Sequence, residues 1–267
     1  MTHVIITGGS SGIGLAVARI YVHRGYSVSL IARGEAALEA ARTALGNAGD
    51  GRVHIAPADV ADAGAVSKAI RACEAAAGPC DILICSAGIV EPSRFEDQNE
   101  ADFDRQIAVN LSGSVYAVRA VYAQMQARGT GRIMLVSSGA GLIGIPGYAA
   151  YCASKFALRG FAEALRSEGR PKGVTVSICF PPDTQTPQLE RERTARPAEA
   201  EVIMGQVRPW SAERVANQMV RALDRGRFEV YFGLTLLALG RFAPLVRPLI
   251  DWHFDRRIRR VRKVAGR

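Results

Sequence analysis

The sequence predicts an α/β chain, a doubly wound parallel sheet in a single domain, and three observations predict it. Short, nearly continuous apolar runs alternate with longer amphipathic stretches, the rhythm of repeated βαβ units. The runs are apolar on both faces, as parallel strands covered by helices on either side should be. The first run leads straight into a glycine-rich turn that opens the first amphipathic stretch. With 267 residues, 48% hydrophobic and 22% charged, the chain can bury one large core, so one domain is expected.

The expected strands are VIIT (4–7), SVSLIA (27–32), RVHIAPADV (52–60), DILICSAG (81–88), GRIMLVSS (131–138) and VTVSICFPP (174–182). Each is rich in Val, Ile and Leu, which suit a pleated, buried surface. Between them, apolar residues recur at helical spacing over 13–24, 35–48, 62–77, 99–128 and 149–170. No internal repeat and no low-complexity linker interrupts the pattern before residue 190.

The formal net charge of +9 admits nucleic acid, an anionic membrane face or an anionic cofactor. Its distribution is more informative than its total. From Asp251 to Arg267 seven basic residues (Arg256, Arg257, Arg259, Arg260, Arg262, Lys263 and Arg267) face two acidic ones, so more than half of the excess lies at the C-terminus. No aromatic-basic sheet motif or recognition helix accompanies it, and nucleic acid is not expected as a partner. The cysteines (Cys73, Cys80, Cys85, Cys152 and Cys179) lack metal or disulfide spacing and sit in apolar segments. They read as reduced, buried thiols of a cytoplasmic protein, with no metal site. No signal peptide is expected before the first strand.

The turn is TGGSSGIG, in which Thr7, Gly8, Ser10, Ser11, Gly12, Ile13 and Gly14 are candidate cofactor-binding residues. Glycines there let the chain turn sharply and let a diphosphate approach the backbone, while the next helix offers its N-terminal N–H groups. The plain alternative is a tight strand-to-helix turn with nothing bound. At the end of the second strand, where a Rossmann-type dinucleotide site carries an acid for the adenine ribose, stands Arg33. A guanidinium there pairs with a 2′-phosphate, so NADPH/NADP is the expected cofactor; a solvated arginine at a helix start is the other reading.

Ser138, Tyr151 and Lys155 carry the chemistry. Tyr151 and Lys155, at i and i+4, share one face of a helix. A tyrosine hydroxyl titrates near ~10 in water, and a lysine ammonium beside it favours the phenolate, making Tyr151 a candidate general acid/base. Ser138, at a strand end, would hydrogen-bond a carbonyl oxygen. Asn110, in VNLSG, could bind a backbone carbonyl or a water linking Lys155 to solvent. Singly, each has an ordinary structural explanation; together with the glycine turn they form a set.

That set resembles the short-chain dehydrogenase/reductase family over about residues 3–190: TGGSSGIG, Asp59-Val60, CSAG at 85–88, Asn110, Ser138 and YCASK at 151–155. The resemblance implies a homodimeric or homotetrameric NAD(P)-dependent oxidoreductase. It places Asp59 and Val60 by the adenine, Ala87 and Gly88 along the cofactor, Ser138 at the carbonyl oxygen, Tyr151 as proton donor, and Lys155 lowering its pKa and binding the nicotinamide ribose. Two departures stand out: CSAG replaces the usual NNAG, and Pro181-Pro182 replaces the usual Pro-Gly. Pro181, Thr184 and Thr186 fall where family members bind the nicotinamide carboxamide, in a loop expected to act as a clamp. With the SSGIG turn, FPPDTQTPQLERE looks most like the branch that uses NADPH to reduce the 3-keto group of long-chain sphingoid bases. The expected reaction is therefore reduction of a long-chain keto lipid, 3-ketodihydrosphingosine to dihydrosphingosine. Another lipophilic carbonyl (retinoid, steroid or acyl chain) and a non-catalytic dinucleotide sensor are the alternatives.

The catalytic region is expected over 1–225, with a substrate loop at about 183–210 and an apolar, then basic, extension over 226–267. In the extension the uninterrupted apolar stretch from Gly233 to Gly240 is far shorter than the ~20 residues needed to span a bilayer. With Trp252, Phe254 and the basic run after it, 233–263 suits an interfacial anchor on an anionic, cytoplasmic membrane face, or else a substrate lid or oligomer contact.

Overall fold

The computed structural model describes residues 1–46, 51–204 and 208–265, with side chains as far as 259. Its strands are β1 (His3–Thr7), β2 (Ser27–Ala32), β3 (Val53–Pro57), β4 (Ile82–Cys85), β5 (Gly131–Val136), β6 (Val174–Phe180), β7 (Thr184–Gln185), β8 (Trp210–Ser211) and β9 (Glu229–Tyr231). Its α-helices are α1 (Gly12–His23), α2 (Glu35–Ala44), α3 (Ala63–Ala77), α4 (Glu100–Ile107), α5 (Gly113–Arg128), α6 (Ala149–Gly169), α7 (Pro187–Ala195), α8 (Ala198–Met204), α9 (Ala212–Asp224) and α10 (Leu234–Ala265).

Seven strands form one parallel sheet in the order β3-β2-β1-β4-β5-β6-β9, and β7 pairs with β8 beside it. Thr7 is in register with Ile31 of β2 on one side and Cys85 of β4 on the other. The strand order reverses between β1 and β4, which opens a crevice at their C-terminal ends. Strand periodicity sends Val4 and Ile6 to one core layer, under α1 and α9, and Ile5 to the other, under α3, α5 and α6. Each such Val, Leu or Ile is fully buried and contributes about 1.5–3 kcal/mol of transfer free energy.

Several elements differ from their sequence-based bounds, for local reasons. The third strand ends at Pro57 instead of running to 60, because Asp59 turns the chain, its Oδ1 accepting from Ala61 N at 3.0 Å. The fourth stops at Cys85 and the fifth at Val136, freeing the residues that follow to line the crevice. The sixth stops at Phe180 because Pro181 and Pro182 have no N–H to give a ladder. The second helix ends at Ala44, followed by Gly46 at φ 71°; expected residues 47 and 48 lie outside the described residues.

The single helix expected over 99–128 is interrupted. Between α4 and α5, Ala108–Ser112 form one wide π-turn, the kind of local expansion that re-aims side chains inward. Beyond residue 225 the chain returns to the sheet as β9, paired with β6, so the expected extension includes the seventh strand. Then α10 runs for 32 residues with a kink at Phe242 and two internal prolines, Pro244 and Pro248. Among the described residues no helix is long and apolar enough to cross a membrane.

Candidate active site

At the crevice, the β1–α1 turn packs backbone on backbone. Gly8, at φ 69°, lies so near the β4 exit that a Cβ on it would sit 2.7 Å from Ala87 Cα. Gly14 is equally cramped against the Gly8 carbonyl. Ser11 precedes α1 with no side-chain cap, so the helix's first N–H groups are left for something else. Gly8, Ser10, Ser11, Gly12 and Ile13 line a cleft of about 990 Å³. That volume is at the top of the about 300–1,000 Å³ range of ligand pockets. Thr7 and Gly14 stand behind its wall: buried Thr7 accepts from Ala87 N at 3.4 Å through Oγ1 and so fixes the β4 exit.

Arg33 lines the cleft at the end of β2, exposed and without an ion pair among the described residues. Asp59, Val60, Ala87 and Gly88 line it too. A Cβ on Gly88 would lie 3.5 Å from Lys155 Nζ and 3.2 Å from Asn110 Oδ1, so the glycine keeps a path open to both. Where the family pattern has Asn-Asn, Cys85 is buried, its thiol directed at the Ser114 carbonyl of α5 at 3.9 Å. That weak contact ties the end of β4 to α5.

Ser138, Tyr151 and Lys155 converge on the cleft, the first from the end of β5 and the others from α6. Ser138 is held by a short 3₁₀ turn, its Oγ accepting from Ala140 N at 3.2 Å, while Gly139 N donates to Pro181 O at 3.0 Å. Asn110 lies behind the cleft and uses its whole amide: Oδ1 accepts from Ile89 N at 2.8 Å, and Nδ2 donates to Ile89 O and Ser154 Oγ, both at 3.0 Å. Of its two expected uses, this is the backbone one, and the π-turn is what points it there.

The electrostatics correct one expectation. Lys155 Nζ donates to Val136 O at 2.9 Å and lies 5.6 Å from the Tyr151 ring centroid. It is not what governs the phenol in the protein alone. Burial pushes Tyr151 above the usual tyrosine range, a hydrogen bond with Ser138 pulls it back, and the charges of Glu192 and Asp183 push it up again. Tyr151 is therefore a neutral O–H donor. Lys155 itself is lowered to about 8 by burial, with Cys179 acting weakly in the other sense.

Pro181, Thr184 and Thr186 line the cleft as well. The two threonine hydroxyls are engaged within the loop: Thr184 Oγ1 donates to Pro182 O at 2.8 Å, and Thr186 caps α7, accepting from Leu189 N at 3.2 Å. The methyl of Thr186 lies over Gly12, where a Cβ would approach it to 3.0 Å, so the loop closes down on the glycine turn. Sequence reasoning missed the groups that fasten this loop. Tyr148 donates to Glu192 Oε1 at 2.7 Å, and buried Arg196 bonds Glu192 at 2.6 Å, Asp183 at 3.2 Å and Tyr148 at 3.1 Å. The only advance signal was the unusual polarity of the loop.

A family model described as short chain dehydrogenase matches residues 2–197. The chain belongs to the short chain dehydrogenase family. It is similar to the 3-ketodihydrosphingosine reductase of Bos taurus, 39% identical over 235 residues, covering 86% of this chain and 71% of that one. Against the 3-dehydrosphinganine reductase of Danio rerio it is 40% identical over 235 residues, with coverage of 86% and 71%. Among solved structures, levodione reductase superposes with a TM-score of 0.80 at 27% identity, covering 86% of this chain and 95% of that chain. This short chain dehydrogenase is an oxidoreductase that uses a nicotinamide dinucleotide. The glycine cradle and the uncapped start of α1 fit the diphosphate of such a cofactor.

Proposed function

We propose that the protein reduces the 3-keto group of a long-chain sphingoid base, 3-ketodihydrosphingosine to dihydrosphingosine, with NADPH as reductant. The observation that carries this reading is the apolar annex of the catalytic cleft. There α10 contributes Leu236, Leu239, Val246, Ile250 and Phe254, opposite Ile145 and Met204. Half-buried apolar lining of that extent suits an alkyl chain, and relatives at about 40% identity carry the names of enzymes acting on such ketones. Arg33, in place of an acid, supports a 2′-phosphate and hence NADPH over NADH.

When bound, the dinucleotide supplies a hydride to the carbonyl carbon. Tyr151, kept neutral by burial, gives its phenolic proton to the carbonyl oxygen, and Ser138 donates a hydrogen bond to that oxygen. Lys155, as the ammonium, offsets the phenolate left behind and offers N–H groups to a ribose hydroxyl. Asn110 positions the wall by holding Ile89 and Ser154. The residues assigned to the dinucleotide are the cleft-lining ones named above, from Gly8 to Thr186, with Thr7 and Gly14 shaping the turn.

Purified protein in detergent should oxidise NADPH far faster with 3-ketodihydrosphingosine than with a short water-soluble ketone, and faster with NADPH than with NADH. Turnover restricted to other ketones would sink the substrate assignment.

The same reading includes a place at a membrane surface and a homodimer or homotetramer, which light scattering of the purified protein can read. The face of α10 turned away from the cleft exposes Leu234, Leu237, Phe242, Leu245, Leu249 and Trp252, with Arg241, Arg247, Arg256, Arg257 and Arg259 along the helix. An apolar stripe with basic flanks suits the interface of an anionic leaflet. The remaining basic residues of the extension, Arg260, Arg262, Lys263 and Arg267, lie outside the described side chains.

A further inference from the structure

Two carboxylates flank the reaction centre, and catalysis as derived so far gives them nothing to do. Asp183 and Glu192 both line the cleft beside Tyr148 and Tyr151, whose rings meet edge to face with centroids 6.2 Å apart. Behind them lies one cation, Arg196, whose side chain is only 2% exposed and does not reach the cleft lining. Arg196 engages one oxygen of each acid, Asp183 Oδ2 at 3.2 Å and Glu192 Oε1 at 2.6 Å. Asp183 Oδ1 and Glu192 Oε2 take no hydrogen bond among the described residues. Glu201, a third acid near Arg196, lies 3.6 Å from the guanidinium and is half exposed. The cations that share the cleft lining on this side, Arg191 and Arg208, are exposed and make no ion pair among the described residues.

A single buried guanidinium shared by two carboxylates leaves one oxygen of each acid without a hydrogen-bond donor among the described residues, on side chains that line the cleft. Carboxylate oxygens that still lack a donor, held in place by Arg196 and Tyr148, are suited to a charge-assisted hydrogen bond from a cation. We propose that Asp183 and Glu192 recognise the ammonium that a sphingoid 3-ketone carries on the carbon next to its carbonyl, and so set a preference for amino ketones, given the substrate class proposed above. The placement matches the chemistry: Glu192 is hydrogen-bonded to Tyr148, whose ring packs against that of Tyr151, and both acids share the cleft with the Tyr151 and Ser138 that would hold the ketone oxygen. The electrostatics agree, since both acids hold the Tyr151 phenol up and a bound ammonium would relieve that bias as the proton leaves.

The test compares 3-ketodihydrosphingosine with an analogue in which hydrogen replaces the amino group, chain and 1-hydroxyl unchanged, at saturating NADPH. Wild-type kcat/KM should favour the amino ketone by roughly 10- to 100-fold, the worth of a hydrogen bond to a charged group. In Asp183→Asn and Glu192→Gln that ratio should collapse toward one, chiefly through KM. A wild type indifferent to the amine overturns the proposal without any variant, so a variant that fails to fold does not protect it. Equal losses on both ketones, leaving the ratio intact, would mark the acids as structural and also overturn it. Turnover of neither long-chain ketone by protein that binds NADPH would remove the substrate class itself, a separate failure visible in the wild type alone.

Discussion

Lys155 is buried at the centre of the site, and burial is what sets its range of action. Its pKa is lowered to about 8, so in the free enzyme the ammonium is present below that pH and is lost above it. The proposed role needs the charge; kcat/KM should therefore fall as pH rises through about 8, and a profile flat to pH 10 would contradict the role. Tyr151→Phe removes the proton donor but keeps the ring, and turnover should drop by about 10²- to 10⁴-fold, the usual contribution of a general acid. Arg33→Asp should erase or reverse the preference for NADPH, read as the ratio of kcat/KM for the two cofactors; an unchanged ratio would remove Arg33 from that role. The positions of Ser138, Tyr151, Lys155 and Arg33 at the cleft were legible because motif spacing and strand ends place them. The Tyr148, Asp183, Glu192 and Arg196 network was not, because four positions scattered over nearly 50 residues meet only once the loop folds back.

The elements that build the site are held by a few buried polar groups. The π-turn at Asn110 is the plainest case, since its amide satisfies both the N–H and the C=O of Ile89. Asn110→Leu would leave those backbone groups without partners, at about 1–3 kcal/mol each, and should lower the urea midpoint without changing the slope. A loss below about 0.5 kcal/mol would show that water replaces the amide there. Six strands and the main helices could be read from the sequence because each buries a long apolar face. β9 could not: it is three residues long and begins with Glu229, whose side chain is 9% exposed and paired with Arg159 at 3.0 Å. The wide turn at 108–112 was invisible for another reason, since its apolar spacing continues that of the helices on either side. Helix α7 was also missed, because PQLERERTA buries one residue, Leu189.

At the scale of the whole molecule, α10 joins the two halves of the proposal. One face walls the apolar annex and the other shows bare leucines, with Leu234 83% and Leu245 79% exposed. A lipid drawn from a bilayer would then pass a single helix to reach Tyr151. Cosedimentation with anionic vesicles should be strong at low salt, weaken as salt rises, and be lost when Leu245, Leu249 and Trp252 are changed to Ser; no cosedimentation of the wild type at low salt would refute the docking. The sequence offered anchor, lid and oligomer contact as competing uses of this segment; one face of α10 lines the cleft, and the proposed docking would use the other. The most direct test of the central claim is to incubate purified protein with 3-ketodihydrosphingosine and NADPH and to measure dihydrosphingosine by mass spectrometry, beside the Tyr151→Phe variant. The account predicts stoichiometric product from the wild type and almost none from the variant. Absence of product from folded wild-type protein that binds NADPH would contradict it.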